Sequence, residues 1–280
     1  MKPLEKIVQT LIINGSLLEH NGLFYGKTGI AIFFFHYAQY TGNELFQDYA
    51  MYLIEDVQKQ IPNTLSTRYD IGLSGIGVAF EYLLQNDFLE VENKNFFNDF
   101  DARLYSAIMY EPHSNFNLQD GLTGWGRYFI YRLNGNCYKE KKLHKAIIHI
   151  ADEIAKKISN NTVSENEQPD VYRFLHDLTK LTRYAEKYKE IFNKCRELKK
   201  IIEPDIQKNF PYMNQLQRLY TCQNYFNIDL TEEIDHEWKK WKEKENDSIV
   251  DMGLLSGWTS NALLHLTLLD NCNVSWINLL

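Results

Sequence analysis

Apolar residues recur along most of this 280-residue chain at intervals of three and four, the spacing that places them on one face of an α-helix. Longer runs with one apolar face alternate with shorter runs that are apolar on nearly every side. This alternation predicts amphipathic outer helices and buried inner helices. The outer runs cover residues 4–18, 44–59, 95–109 and 138–158, and the inner runs cover residues 28–40, 75–85 and 124–133. Because no stretch alternates with the period of a β-strand, we predict an all-α fold.

A glycine-rich motif opens each inner run. Gly72-Leu73-Ser74-Gly75-Ile76-Gly77 recurs 49 residues later as Gly121-Leu122-Thr123-Gly124-Trp125-Gly126. Gly26-Lys27-Thr28-Gly29 precedes Gly75 by the same interval, and residues 253–258 carry a related motif. A repeat of this length is typical of architectures in which one helical unit buries its apolar face only against its neighbours.

The repeat can be followed through the whole chain. Asp177 begins a degenerate copy, and residues 214–225 have the pattern of another inner helix without glycines. Counting starts near residues 26, 75, 124, 177, 216 and 257 gives six units. We therefore predict a single domain over residues 1–280, an α/α toroid of about six outer–inner helical hairpins whose inner helices line the axis.

Glycine at the start of a buried helix has two interpretations. It allows a tight backbone turn and the close approach of a neighbouring chain. A helix N-terminus also presents free N–H groups and the positive end of its dipole. The glycines therefore serve close helix packing alone, or the converging loops form a shared pocket.

Composition limits the partners. The net charge is −7 and the pI is near 5.7, so we expect neither nucleic acid nor an anionic membrane as a partner. No apolar stretch reaches about 18 residues, so we expect no membrane span. The first residues lack the pattern of a signal peptide, and we expect a cytoplasmic protein. Cys137, Cys195, Cys222 and Cys272 form no C-x-x-C pair and are expected to be free thiols.

Acidic residues precede three of the glycine motifs. Asp70 lies two residues before Gly72, Asp120 directly precedes Gly121, and Asp251 lies shortly before the last motif. In a toroid these three would face one rim. Each carboxylate either caps the free N–H groups of a helix start, or belongs to a shared acidic pocket.

Further candidate binding residues lie within the motifs. Trp125 and Trp258 follow glycines and are expected at one level of the ring, as core residues or as a wall for stacking a peptide or sugar. Lys27 and Arg127 lie near inner-helix starts, where a cation opposes the helix dipole. Each is therefore expected to meet a carboxylate or to bind an anionic group of a ligand.

Four other residues are candidates for hydrogen bonding. Tyr25 and His113 lie in loops that lead to the motifs and are candidate proton donors, although His113 fits a solvated loop residue equally well. His36 and His265 lie on inner runs and are expected to be hydrogen-bonded core residues. The chain contains none of the usual short motifs of serine hydrolases, P-loop nucleotide-binding proteins or zinc proteases.

The glycine motifs and the apolar runs that follow them resemble the lanthionine synthetase C-like (LanC-like) family of ribosomal peptide maturation. The matching residues are 22–31, 72–77, 121–126 and 253–258. The resemblance implies an α/α toroid, a peptide substrate and a zinc ion. In such a site the zinc ion holds a peptide thiolate, which adds to a dehydroamino acid to form a thioether ring.

The chain departs from the family at the zinc ligands. Family members use a cysteine in a Trp-Cys-Tyr-Gly stretch and a Cys-His dipeptide. Here Cys137-Tyr138 follows Asn136 without the flanking Trp and Gly, and no Cys-His dipeptide occurs. Cys222 and His236 are fourteen residues apart, with nothing in the pattern to bring them together. We therefore expect no zinc and no other cofactor.

Three functions fit this pattern. The first is a zinc-less LanC-like protein that binds a precursor peptide or another maturation enzyme at the toroid mouth, with no catalytic residue assigned. The second is a carbohydrate-active hydrolase that uses Asp70, Asp120 or Asp251 as acid and base beside aromatic walls. The third is a structural scaffold, which is favoured if side chains fill the centre of the ring.

Overall fold

The computed structural model describes residues 3–61, 66–90, 96–113, 115–135, 140–243, 251–270 and 274–280. Within these ranges the protein is all-α, as predicted, and no residue is in a β-strand. The outer helices are α1 (Pro3–Gly15), α3 (Glu44–Lys59), α5 (Asn98–Tyr110), α7 (Lys141–Ser159), α9 (Thr182–Arg196) and α12 (Thr231–Glu243). The inner helices are α2 (Lys27–Thr41), α4 (Leu73–Gln85), α6 (Leu122–Asn134), α8 (Gln168–Lys180), α11 (Gln215–Phe226) and α13 (Trp258–Asp270). The short helix α10 (Lys199–Ile202) precedes α11, and a 3-10 helix (Val274–Leu279) follows α13.

The burial of the helices follows the apolar pattern. On inner helix α2, residues 27–38 are all buried, because other helices surround it. On outer helix α3 the buried residues are Ala50, Leu53, Ile54 and Val57, a single stripe at helical spacing. Burying each of the larger aliphatic side chains contributes roughly 1.5–3 kcal/mol to folding. Among the described residues, no helix is both long enough and apolar enough to cross a membrane.

The inner helices close into a ring. Helix α13 packs on α2, and α2, α4, α6 and α8 pack on one another in chain order. Hydrogen bonds link α8 to α11, where the Tyr172 hydroxyl donates to the Tyr225 carbonyl at 3.0 Å and the Tyr225 hydroxyl donates to Asp177 at 2.9 Å. Gln217 Nε2 on α11 donates to Ser260 Oγ on α13 at 2.8 Å and completes the circle. The fold is the predicted α/α toroid of six outer–inner pairs.

The prediction placed the start of the fourth inner helix wrongly. Helix α8 begins at Gln168, so Asp177 lies near its end and Thr182 already opens outer helix α9. Pro169 lies in the first turn of α8, where the missing N–H of proline removes no helical hydrogen bond. This helix therefore starts without glycine, and the residue similarity near position 177 is coincidental.

The fifth inner helix starts as predicted, also without glycine. Asn214 caps α11: its side chain accepts from the Gln217 N–H, and the Gln217 side chain accepts from the Asn214 N–H. This reciprocal arrangement is a capping box, which satisfies two N–H groups at the helix start. Side-chain capping takes the place of the glycine loop in this unit.

Residues 274–280, which we call the axial segment, fill the interior of the ring. The side chains of Trp276, Ile277, Leu279 and Leu280 are each at most 1% exposed. Trp276 is also the largest of the fully buried side chains. The centre of the ring is therefore filled by side chains, the observation that the sequence analysis associated with a structural scaffold.

Candidate functional site

The glycine motifs build one recurring loop, and these loops lie at the N-terminal ends of the inner helices, which we call the rim. In each loop the N–H of the first helical residue donates to a carbonyl seven residues earlier. The bonds run from Lys27 to His20 (3.0 Å), Leu73 to Ser66 (2.8 Å), Leu122 to Asn115 (3.3 Å) and Trp258 to Asp251 (2.8 Å). The same fold of the chain therefore recurs in four of the six units.

A hydroxyl group reinforces each of these loops. The residue that follows the first helical residue is Ser or Thr, and its hydroxyl also donates to a carbonyl seven residues earlier. The bonds run from Thr28 to Asn21, Ser74 to Thr67, Thr123 to Phe116 and Thr259 to Met252. The sequence analysis missed these hydroxyls, although their constant position after a glycine was visible in the sequence.

Two glycines are required by close approach of the main chain. A Cβ atom on Gly75 would overlap the carbonyl oxygen of Tyr69, and one on Gly124 would overlap that of Leu118. In both cases the obstacle is the backbone of the same loop, which cannot move aside without breaking the loop. At these positions the glycines serve close packing.

The recurring bonds correct the alignment of the last motif. Gly257, not Gly253, takes the place of the earlier capping glycines, so Trp258 is the first residue of α13. Trp125 is the fourth residue of α6, about one turn further along its helix. The expectation that the two tryptophans lie at one level is therefore wrong. Trp125 is buried and packs edge-on against His113, with ring centroids 5.0 Å apart, whereas Trp258 is half-buried.

Main-chain hydrogen bonds join neighbouring loops around the rim. Leu254 N donates to the Phe24 carbonyl at 2.7 Å, which joins the sixth unit to the first. Phe24 N donates to the Asp70 carbonyl at 2.9 Å, and Tyr69 N donates to the Gln119 carbonyl at 2.8 Å. The first three units and the last are thus held together by peptide groups.

Asp170 continues this series where the glycine loop is missing. The Leu118 N–H donates to Asp170 Oδ2 at 2.9 Å, and the Tyr212 hydroxyl donates to Oδ1 at 3.1 Å. The side chain therefore replaces the carbonyl acceptor of the other units and links the third, fourth and fifth units. Burial raises the pKa of Asp170, and the charge of Arg173 opposes this effect. The sequence analysis did not identify this residue.

The structure brings four of the predicted site residues to one part of the rim. Burial, followed by the charges of Asp70 and Asp251, raises the pKa of Tyr25, which therefore lies near both carboxylates. Arg68 donates to both carboxylate oxygens of Asp70, at 2.9 and 2.5 Å. These hydrogen bonds raise the pKa of Arg68, and the charge of Asp120 adds to the effect. Arg68 is a cation in this group that the sequence analysis missed.

The aspartates do not cap the inner helices. The N-cap residues of α4 and α6 are Gly72 and Gly121, and neither helix start receives a side-chain hydrogen bond. Asp70 instead accepts from the N–H of the next residue at 2.9 Å, and Asp251 accepts from the Gly253 N–H at 2.8 Å. The exposed Asp120 accepts from the side chain of Asn115 at 3.2 Å. The capping interpretation is wrong, and a role for these carboxylates in binding stays a prediction.

The two predicted cations have different surroundings. Lys27 is buried and forms an ion pair with Asp56 on outer helix α3, so it meets a carboxylate, but none of those at the rim. The hydrogen bond from Lys27 lowers the pKa of Asp56. Arg127 points into the ring, where its Nη2 donates to the main-chain oxygen of Asn278. Arg127 thus binds a peptide carbonyl of the axial segment.

The two inner-helix histidines are both largely buried but differ in hydrogen bonding. His36 Nε2 shares a hydrogen bond of 2.8 Å with the Tyr82 hydroxyl, as expected for a core histidine. His265 Nε2 is buried without a hydrogen-bond partner among the described residues, so that expectation was wrong for His265. Burial lowers the pKa of each histidine to about 4.

The described residues do not fit the zinc site that the family resemblance implies. Cys195 and Cys222 are free, as expected, and burial raises the pKa of each thiol to about 12. His236 is exposed, whereas Cys222 is fully buried. In the described part of the chain, no three His, Cys, Asp or Glu residues are grouped to hold a metal. Cys137 and Cys272 lie outside the described residues.

A cleft of about 460 Å³, which we call the rim cleft, opens beside Asp170. Its walls come from the loops before α6, α8 and α11. The lining residues are Asn117, Gln119, Glu165, Asn166, Pro169, Asp170, Lys200, Lys208, Asn209, Phe210, Pro211 and Tyr212. The Asn209 side chain is 3% exposed, and its Nδ2 has no hydrogen-bond partner in the described residues. The sequence analysis missed this cleft because two of its three loops, those before α8 and α11, lack the glycine motif.

Comparison with known proteins agrees with this architecture. No curated protein matches the chain. A family model described as lanthionine synthetase C-like protein matches residues 19–177, more than half of the chain. The match covers the first three of the four glycine loops and most of α8. With the toroid and its recurring rim loops, it shows that the chain belongs to the lanthionine synthetase C-like family.

Proposed function

We propose that this LanC-like protein acts in ribosomal peptide maturation in the cytoplasm, where it binds a precursor peptide at the rim without zinc-dependent cyclisation. The observation that carries the proposal is the Asn209 amide in the rim cleft. A buried donor without a partner costs about 1–3 kcal/mol, and a peptide carbonyl would remove that cost. The cleft also presents the cations Lys200 and Lys208 and the anion Glu165, which suit a peptide with charged side chains.

Two observations disfavour the enzymatic alternatives. A cyclase of this family needs a thiolate-binding zinc ion, and in the described part of the chain no three His, Cys, Asp or Glu residues are grouped to hold one. A hydrolase needs one carboxyl group free to give up or take a proton at the substrate. Of the three candidate carboxylates, Asp70 is instead engaged by Arg68 and by the N–H of Ile71, whereas Asp120 is exposed. The filled ring centre favours binding at the rim over binding inside the ring of the resting protein.

A heptapeptide display library panned on the purified protein tests the proposal. We expect convergent sequences on the wild type and their loss on Asn166→Trp, because this exposed residue lines the cleft and the larger side chain blocks it. Asn193→Trp, an equally exposed position on α9, is the matched control and should retain them. Peptides that bind Asn166→Trp as well as the wild type, or a failure of any sequences to converge, would remove the rim cleft from the proposal.

Zinc analysis tests the second part of the proposal, that the protein acts without a bound zinc ion. After dialysis against a buffer with trace zinc, we expect far less than one zinc ion per chain, because no described group of residues suits the metal. Stoichiometric, tightly held zinc would overturn the zinc-less interpretation and restore the cyclase.

A further inference from the structure

The axial segment is held mainly through its main chain. The Tyr69 hydroxyl donates to the Leu279 carbonyl at 2.7 Å, and Arg173 Nη1 donates to the main-chain oxygen of Leu280 at 3.1 Å. Arg127 donates to the main-chain oxygen of Asn278 in the same way. Three consecutive residues are thus recognised by donors from three units of the ring. The last carbonyls of a helix have no partner within the helix, so donors aimed at them can bind a short helical peptide by its C-terminal end.

The side chains of the segment lie in apolar surroundings with few polar contacts. Trp276 is fully buried, and its Nε1 donates to Thr267 Oγ1 at 3.3 Å. The Ser275 hydroxyl lies 3.2 Å from the Tyr82 hydroxyl. The segment therefore supplies bulky apolar groups for packing, while the ring supplies the main-chain contacts.

The two arginines carry more donors than the segment uses. Arg173 is 2% exposed, yet its Nε and Nη2 have no partner among the described residues, and neither has Arg127 Nε. Within the described chain, no Asp or Glu side chain lies at ion-pair distance from either guanidinium. The rings of Phe210 and Tyr225 face the Arg173 guanidinium, with centroids at 5.0 and 4.8 Å. Buried guanidinium groups with unused donors are costly in a core that has only a structural purpose.

We propose that the ring interior is a binding site for a short apolar peptide in the 3-10 conformation of the axial segment, and that the axial segment is its intramolecular occupant. An external peptide of the same character competes with the segment for Tyr69, Arg127 and Arg173. This inference rests on the proposed function only in taking a peptide as the ligand. It does not require the rim cleft to bind anything.

Fluorescence anisotropy with a labelled peptide of the sequence Val-Ser-Trp-Ile-Asn-Leu-Leu, which copies residues 274–280, tests the proposal on the full chain. Trp276→Ala weakens the internal occupant, so we expect this variant to bind the probe at least about 10-fold more tightly than the wild type. Trp241→Ala, on outer helix α12, is the control and should bind as the wild type does. Equal binding to a folded Trp276→Ala variant and the wild type would overturn the proposal.

Substitution of Arg173 distinguishes a role in peptide binding from a purely structural role. With Trp276→Ala already present, Arg173→Met should weaken probe binding about 10-fold or more, because it removes the donor to the main-chain oxygen. The same change should leave the urea midpoint unchanged or higher, since a buried cation with unused donors is replaced by an apolar side chain. Loss of stability without loss of binding would identify Arg173 as a structural residue and contradict the proposal.

Hydrogen exchange of the unmodified protein decides the question if Trp276→Ala does not fold. We expect the amides of residues 274–280 to exchange through a smaller opening than those of α4 and α6, and the probe at millimolar concentration to speed their exchange. Exchange of the segment only by global unfolding, with no effect of the probe, would make it a permanent plug. If the probe binds but the display library finds no rim peptide, only the proposed function fails.

Discussion

At the scale of single residues, Asp170 completes the rim where the glycine motif is missing. In the neighbouring units a peptide carbonyl accepts the hydrogen bond between loops, and here a side-chain oxygen accepts it from Leu118. The carbonyl positions follow from the glycine spacing and could be predicted from the sequence. The role of Asp170 could not, because its partners Leu118 and Tyr212 lie 52 and 42 residues away along the chain.

We expect Asp170→Ala to lower the free energy of unfolding by about 2–3 kcal/mol, because it leaves the buried Leu118 N–H and Tyr212 hydroxyl without an acceptor. Asp170→Asn keeps one oxygen that can accept from the Leu118 N–H. This variant should lose less than half as much of the free energy of unfolding as Asp170→Ala. Urea denaturation of both variants measures the difference. Equal losses would show that the charge of Asp170, rather than its role as an acceptor, stabilises the rim.

His36 makes stability depend on pH. An unfolded histidine has a pKa near 6.5, and burial lowers that of His36 to about 4, so the unfolded state binds more protons between these values. The contribution of His36 to the free energy of unfolding is therefore present above pH 6.5 and is lost as the pH falls toward 4. The loss is about 2 kcal/mol between pH 7 and 5. His265, with a similarly lowered pKa, adds in the same direction.

His36→Gln should remove roughly half of this pH dependence, as measured by urea unfolding at pH 7, 6 and 5. His236→Gln, at an exposed position on α12, is the control and should leave the dependence unchanged. An unaltered pH slope in His36→Gln would mean that His36 is already protonated in the folded protein.

At the scale of elements, the alternation of outer and inner helices follows from local patterns, whereas the way each inner helix starts does not. Five of the six inner helices begin close to the predicted positions, because their apolar runs are continuous. Helix α8 was misplaced by about nine residues, since it begins with Gln168 and Pro169 rather than with glycine. Three kinds of start (glycine loop, proline and capping box) thus produce the same ring position.

Gly75→Ala should be among the most destabilising alanine substitutions in the chain, at about 3 kcal/mol, because the new methyl group overlaps the Tyr69 carbonyl. Gly42→Ala is the comparison: Gly42 has a φ of 66° at the end of α2, with open space around it. Only the left-handed conformation should cost energy there, about 1–2 kcal/mol. Thermal unfolding of both variants gives the ratio of their losses in the free energy of unfolding. Similar losses would show that the rim loop adjusts to a side chain at Gly75.

At the scale of the whole molecule, two features lie beyond what local sequence patterns can predict. The ring is completed through side-chain hydrogen bonds of Gln217, and the axial segment is held by residues as far away in sequence as Tyr69. The sequence analysis assigned no role to residues 274–280, because the segment is short and lacks a helical period. Its position depends on a cavity that exists only once six helices have closed around it.

Ser260→Ala tests whether weakening the contact between α11 and α13 also destabilises the other helices of the ring. Ser260 Oγ accepts from both Gln217 Nε2 and Asn214 Nδ2, so its loss leaves two donors between α11 and α13 without this partner and should cost about 1–3 kcal/mol. Because each unit contacts mainly its neighbours, we expect faster hydrogen exchange in α11, α12 and α13 than in α4 and α6. Ser256→Ala, at an exposed position in the loop before α13, should change neither. An equal rise in exchange in all inner helices would mean that the ring opens only as one unit, and that the axial segment cannot leave it without global unfolding.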